Sequence, residues 1–355
     1  MNSPFFADAP RASRVAFLTL CCLCWLLAGL PATSRAAPPV PTHGAVGVCA
    51  AILYDLDQDA ILFEQNADTP IPPASLTKVL SMFLVMDQIR AGLASLDSPV
   101  TISRLAARTG GSRMGLRQRE QLTLEQLLTG MAVSSGNDAS TAAAEFVGGS
   151  VPAFVNMMNA KARSLGMRDS VFVNPHGLHS DDHYTTARDI FKMAKQAMTH
   201  ATFREIVSTG TYTVPATNLS GERTLYNTNA LLTSALHPGY TYSGTIGIKT
   251  GSTGQAGYCL TAAVEMKGHT LISVVLGAEN PTDSQGNVQR MQFSESVRLL
   301  DWASDNFSAA TLLDSETYLQ EIPVRFSADT SHVVLRPAQS VRALIPGTYD
   351  DTRLE

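Results

Sequence analysis

A hydroxyl and an amine able to act together stand in Ser75-Leu76-Thr77-Lys78, the only Ser-x-x-Lys of the chain. On a helix, residues i and i+3 share a face, so Ser75 Oγ and Lys78 Nζ can meet. A serine hydroxyl is a weak nucleophile without an adjacent base. Lysine serves as that base only if burial or a second cation lowers its pKa from about 10.4 toward neutrality. A helix start also aims free backbone N–H groups at the reaction centre, where they can stabilise a developing oxyanion. Two further segments supply complementary parts. In Ser135-Gly136-Asn137 the serine can relay a proton, and the amide can orient either a lysine or a substrate carbonyl. In Lys249-Thr250-Gly251, Lys249 can be the second cation, and Gly251 allows close approach of another backbone. A strand edge there can pair with an extended peptide.

The elements that must position these residues follow from hydrophobic periodicity and turn signals. Pro72-Pro73 marks a helix start, and apolar residues run nearly all round the stretch 75–90, which predicts a central, buried helix. Residues 44–64 read as two strands around the turn Asp55–Asp59. Helical patterns follow at 122–133, 137–147, 151–165, 186–200 and 201–208, then short β segments at 211–214, 244–250, 256–266 and 270–278. The stretch 291–307 returns to helix. Strands at both ends of a helical middle predict an α+β fold, an antiparallel sheet with helices packed on it. From 313 the pattern is β (318–326, 331–335, 340–345), so the expected layout is a main domain over 37–310 and a small, incomplete β domain over 313–355.

At 355 residues, 45% apolar and 16% charged, the chain can bury a sizeable core. Its net charge of −5 argues against a nucleic-acid binder held by phosphate contacts. Arg11 and Arg14, the apolar run Val15–Leu30 and the small residues Ala32–Ala37 read as a secretory signal peptide over 1–36. The expected location is therefore beyond the cytoplasmic membrane, periplasmic or otherwise extracytoplasmic. Cys49 and Cys259 remain in strand-like runs and are expected as two buried thiols, with a disulfide between them in an oxidising compartment as the alternative. His176, His179 and His183 lie in a stretch with Asn174-Pro175 and Gly177, which favours a structural loop over a metal site. Ser304-Asp305-Asn306 imitates a catalytic tripeptide but falls after Lys249, within the last helical pattern, and reads as helix surface.

The ordered set Ser-x-x-Lys, Ser-x-Asn, Lys-Thr-Gly occurs in penicillin-binding proteins and β-lactamases. With Pro73-Ala74 before Ser75, Asp138-Ala139 after Asn137, Asn174-Pro175-His176-Gly177-Leu178, Thr186-Ala187-Arg188-Asp189 and Ala256-Gly257-Tyr258, the chain resembles the D-alanyl-D-alanine carboxypeptidases among low-molecular-mass penicillin-binding proteins. The resemblance implies their transpeptidase fold and a serine acyl-enzyme on a peptidoglycan stem peptide. Ser75 would attack the carbonyl between the two terminal D-alanines, with Lys78 as base and Asn137 among the catalytic residues. Ser135 with Lys249 would return a proton to the leaving D-alanine. Backbone N–H groups of Ser75 and Ser252 would form the oxyanion hole. Thr250, Gly251 and Ser252 would bind the substrate, and Thr250 with Arg290 would hold its terminal carboxylate. β-Lactams are the implied inhibitors, and no metal or organic cofactor is implied. A D,D-endopeptidase would use the same residues, and a non-catalytic β-lactam or wall-binding protein would keep the fold. A class A β-lactamase is disfavoured, because no Glu-x-x-Leu-Asn lies between the second and third motifs. The resemblance also implies a longer β domain and a C-terminal amphipathic membrane helix, and the visible C-terminus does not support peripheral membrane association. The arginines 104, 108, 113, 117 and 119 read as a solvated loop face, with contact to an acidic wall polymer as the alternative.

Overall fold

The computed structural model describes residues 48–323 and 332–346, so the leader assigned to 1–36 lies outside the described residues. The expected first hairpin is β1 (Ala50–Asp55) with β2 (Ala60–Gln65). Its turn is closed by Asp55, whose Oδ1 accepts the N–H groups of Asp57 and Gln58. A 3-10 turn at Ala74–Leu76 leads into α1 (Thr77–Arg90), buried continuously from Thr77 to Met86. Next, β3 (Pro99–Thr101) pairs with β4 (Gln121–Thr123) around the short helix α2 (Arg104–Arg108). These three elements escape periodicity, because three to five residues span too little of a repeat. β4 also takes the first residues of the expected 122–133 helix, which begins only at α3 (Leu124–Val133), behind a Thr123–Gln126 capping box.

Four helices follow: α4 (Asn137–Gly148), α5 (Val151–Ser164), α6 (Ala187–Ala197) and α7 (Ala201–Val207). Thr186 caps α6 by accepting the Asp189 N–H. After the ribbon of β5 (Thr211–Val214) and β6 (Arg223–Tyr226) come three long strands, β7 (Thr245–Thr253), β8 (Gly257–Met266) and β9 (His269–Ala278), then α8 (Met291–Asn306). The main sheet is antiparallel, in the order β2-β1-β9-β8-β7, so β7 is an edge strand.

Both faces of this sheet are covered. Along β1, Ala50, Ile52 and Tyr54 join the large core under α1 and the other helices of the middle segment. Ala51 and Leu53 point the other way, into a second core with Leu299, Leu300 and Ala303 of α8. β9 alternates likewise, with Ile272, Val274 and Leu276 on the first side and Leu271 and Val275 on the second.

At the C-terminal end β10 (Phe307–Leu313) starts directly after α8, one residue before the expected helix end, and runs across the boundary expected at 310–313. It pairs with β13 (Val341–Pro346), while β11 (Gln320–Pro323) pairs with β12 (His332–Leu335). The two cysteines are free and flank the same stretch of β9. Cys259 is buried, but Cys49 is exposed, contrary to the expectation of two buried thiols. It stands one residue outside β1, where packing on the sheet ends.

Candidate active site

Ser75 sits in the 3-10 turn at the entrance to α1, where Ala74 adopts a left-handed φ of 46°. Lys78, one turn further on, is wholly buried, and its Nζ has three partners. They are Ser75 Oγ at 2.9 Å, Asn137 Oδ1 at 2.6 Å and the His176 carbonyl at 2.7 Å. A neutral amine has two N–H bonds and one lone pair. Two of the three partners are carbonyl oxygens, which can only accept, so both N–H bonds are taken and the lone pair is left for the Ser75 hydroxyl. Burial is the main cause that holds the Lys78 pKa well below its ordinary value. The charge of Lys249 adds to it, and Asp138 opposes. Lys249 is itself buried, its pKa lowered to about 7 by desolvation, and its Nζ donates to the Thr250 carbonyl at 3.0 Å.

The second motif bridges α3 and α4. Ser135 has φ 58°, a conformation that costs a non-glycine residue about 1–3 kcal/mol. It is held by bonds on either side, Ser134 N and Gly136 N to Gly130 O and Asn137 N to Ser112 O. The Ser135 Oγ is buried and makes no hydrogen bond within the described residues. Asn137 is engaged at both ends of its amide, since Nδ2 donates to the Gly110 carbonyl at 2.7 Å. Of the two roles open to this amide from sequence, the geometry assigns it to the lysine.

The third motif lies on β7, against the turn that carries Ser75. A Cβ at Gly251 would stand 2.9 Å from Ser75 N and 3.1 Å from Leu76 N, so only glycine lets the edge strand come this close. Thr250 Oγ1 shares a hydrogen bond with Thr228 Oγ1. Arg290 caps α8 on the same side, its backbone N–H donating to the Tyr240 hydroxyl.

One cleft brings together Ser75, Ser135, Thr250, Gly251, Ser252 and Arg290. Lys78, Asn137 and Lys249 lie buried beneath it. Tyr258, quoted from sequence only within Ala256-Gly257-Tyr258, also lines it, and sequence reasoning missed the rest of its wall: Ser112, Thr228, His237, Gln292 and Phe293. It also missed the His176 carbonyl. The signal for that contact was Gly177, which has φ 88° and where a Cβ would stand 1.8 Å from the Ala74 carbonyl oxygen. Within the described residues His176, His179 and His183 share no ligand centre. His183 Nε2 pairs with Thr77 Oγ1 at 3.0 Å, and burial lowers its pKa to about 4. Ser304-Asp305-Asn306 closes the last turn of α8, where the Ser304 carbonyl accepts Lys267 Nζ.

Comparison with known proteins gives the family and the fold. Residues 34–280 match the family model described as D-alanyl-D-alanine carboxypeptidase. D-alanyl-D-alanine carboxypeptidase DacF of Bacillus subtilis is 37% identical over 243 residues, which span 68% of this chain and 60% of DacF. DacC of Escherichia coli is 33% identical over 325 residues, 88% of this chain and 75% of DacC. The crystal structure of penicillin binding protein 5 from Haemophilus influenzae superposes with a TM-score of 0.71 at 29% identity, covering 87% of this chain and 85% of that one. A serine poised on a buried lysine, a glycine-dependent strand edge and these matches lead to one assignment: the chain belongs to the D-alanyl-D-alanine carboxypeptidase family, serine-type hydrolases of the penicillin-binding-protein group.

Proposed function

We propose that this chain removes the terminal D-alanine from peptidoglycan stem peptides through an acyl-enzyme on Ser75, outside the cytoplasmic membrane. The observation that carries this reading is the set of contacts at Lys78 Nζ: Ser75 Oγ at 2.9 Å and two carbonyl oxygens able to take both N–H bonds of a neutral amine. Ser75 Oγ attacks the carbonyl carbon of the penultimate D-alanine as its proton passes to Lys78. The N–H groups of Ser75 and Ser252, both on the cleft wall, receive the oxyanion. The C–N bond then breaks, and the leaving amine takes the proton held by Lys78, relayed through Ser135 beside Lys249, which leaves Lys78 neutral again. Arg290 and Thr250 hold the carboxylate of the departing residue. Water attacks the ester, gives its proton to Lys78, and frees the Ser75 hydroxyl and the shortened peptide. β-Lactams would acylate the same hydroxyl. Within the described residues no helix is long and apolar enough to cross a membrane.

The test is mass spectrometry after incubation with a pentapeptide ending in D-Ala-D-Ala, together with peptide mapping of penicillin-labelled protein. Loss of one alanine and an adduct on Ser75 support the reading. An unchanged peptide, or an adduct on another residue, overturns it.

A further inference from the structure

Beside the cleft lies a basic face that the reaction above does not use. Arg104, Arg108 and Arg113 are all exposed, as are Arg117 and Arg119. Arg104 and Arg108, four residues apart, lie on one side of α2. Arg113 donates from Nη2 to the Ala107 carbonyl, which brings its guanidinium to the end of the same helix. The acids of this region are turned inward. The buried Asp138 carboxylate accepts the N–H groups of Met114, Gly115 and Leu116, and lies 3.8 Å from Arg113 Nε. Glu120, also buried, is taken by Arg117 N, Thr217 Oγ1 and Arg223. Glu145, on α4 against α2, accepts the Ser103 hydroxyl. Within the described residues, Arg104 and Arg108 therefore have no carboxylate at ion-pair distance, in a chain whose net charge is −5.

The same loop forms the rim of the cleft. Ser112 lines it, and the Ser112 and Gly110 carbonyls accept both nitrogens of Asn137. A polymer whose peptide end occupies the cleft can therefore continue over Arg113 onto α2. We infer that Arg104, Arg108 and Arg113 form a cationic, anion-binding subsite, taking carboxylate groups of the same wall polymer whose peptide end is cut at Ser75. This subsite rests on the function proposed above. Exposed guanidinium–carboxylate contacts are individually weak and screened by salt, so the effect must be collective and sensitive to ionic strength.

The test compares wild type with the double variant Arg104→Gln/Arg108→Gln, neither residue being part of the catalytic machinery. The substrates are purified peptidoglycan sacculi and a short peptide ending in D-Ala-D-Ala whose only charge is its terminal carboxylate. At low salt the double variant should release D-alanine from sacculi about five- to tenfold more slowly, with the short peptide within about twofold of wild type. Raising salt should bring wild type down to the variant. Equal rates on sacculi, or equal losses on both substrates, overturn the subsite. Co-sedimentation with sacculi, read without turnover, separates this proposal from the catalytic one. An inactive wild type that still sediments more than the variant would sink only the catalytic reading. Wild type that binds anionic phospholipid vesicles but not sacculi would overturn the subsite in favour of a membrane surface.

Discussion

Replacing Asn137 by Asp tests the account of Lys78 at its most exposed point. The two side chains are nearly isosteric, so Oδ1 can stay at its 2.6 Å distance from Lys78 Nζ. Two properties change. The Gly110 carbonyl loses the N–H that reaches it at 2.7 Å, and a carboxylate is placed against a wholly buried amine. Opposite charges about 4 Å apart at an effective dielectric near 20 attract by about 4 kcal/mol, equivalent to roughly a thousandfold preference for the ammonium form. Proton uptake by the new carboxylate and local relaxation reduce this, so acylation at pH 7 should fall by about a hundredfold. The sign follows from the chemistry: the base acts when deprotonated, and a neighbouring anion raises its pKa. The rising limb of the rate profile must therefore move to higher pH, with activity partly recovered in alkali. Stopped-flow acylation by a chromogenic β-lactam from pH 6 to pH 10 reads both effects, and thermal unfolding checks that the variant is folded. Acylation at pH 7 within threefold of wild type, or a deficit of equal size at every pH, would refute the reasoning.

Lys78→Arg should fold and lose acylation, because arginine remains charged and cannot take the Ser75 proton; persisting acylation at a comparable rate would remove Lys78 as base. Arg290→Ala should cost mainly the turnover of free-ended peptides, about 1.5–3 kcal/mol in kcat/KM, and much less for a peptide whose terminal carboxylate is amidated. Lys249→Ala should harm both substrates alike, so an Arg290 variant that loses both activities equally would reject the carboxylate anchor. Gly251→Ala should slow acylation at least tenfold, since the added methyl meets backbone at 2.9 Å, whereas Gly254→Ala meets nothing within 4 Å and should stay near wild type. Equal rates for these two variants would contradict the close approach of β7 to the Ser75 turn.

Residue types and local spacing were enough to single out Ser75 and Lys78 as the proposed nucleophile and base, together with the two supporting motifs. The i, i+3 relation of Ser75 and Lys78 is a property of one helix turn, and the start of α1 carries its signal in Pro72-Pro73. Long periodic segments were legible for the same reason, while β3, β4, β6 and α2 were too short to show a period. What Asn137 does, by contrast, depends on the Gly110 carbonyl 27 residues away and on a lysine 59 residues away. The His176 carbonyl that completes the lysine's coordination comes from 98 residues along the chain. The lowered pKa of Lys78 is mainly a consequence of burial; the apolar pattern of 75–90 predicts a buried helix, but only the packed structure encloses the amine completely. The far wall of the cleft takes Ser112, Thr228 and His237 from loops whose sequences have no repeat to read, and Tyr258 from β8. Local sequence determined which groups could react. Packing decided how completely each of them loses its water, and desolvation is what makes a lysine fit to act as a base.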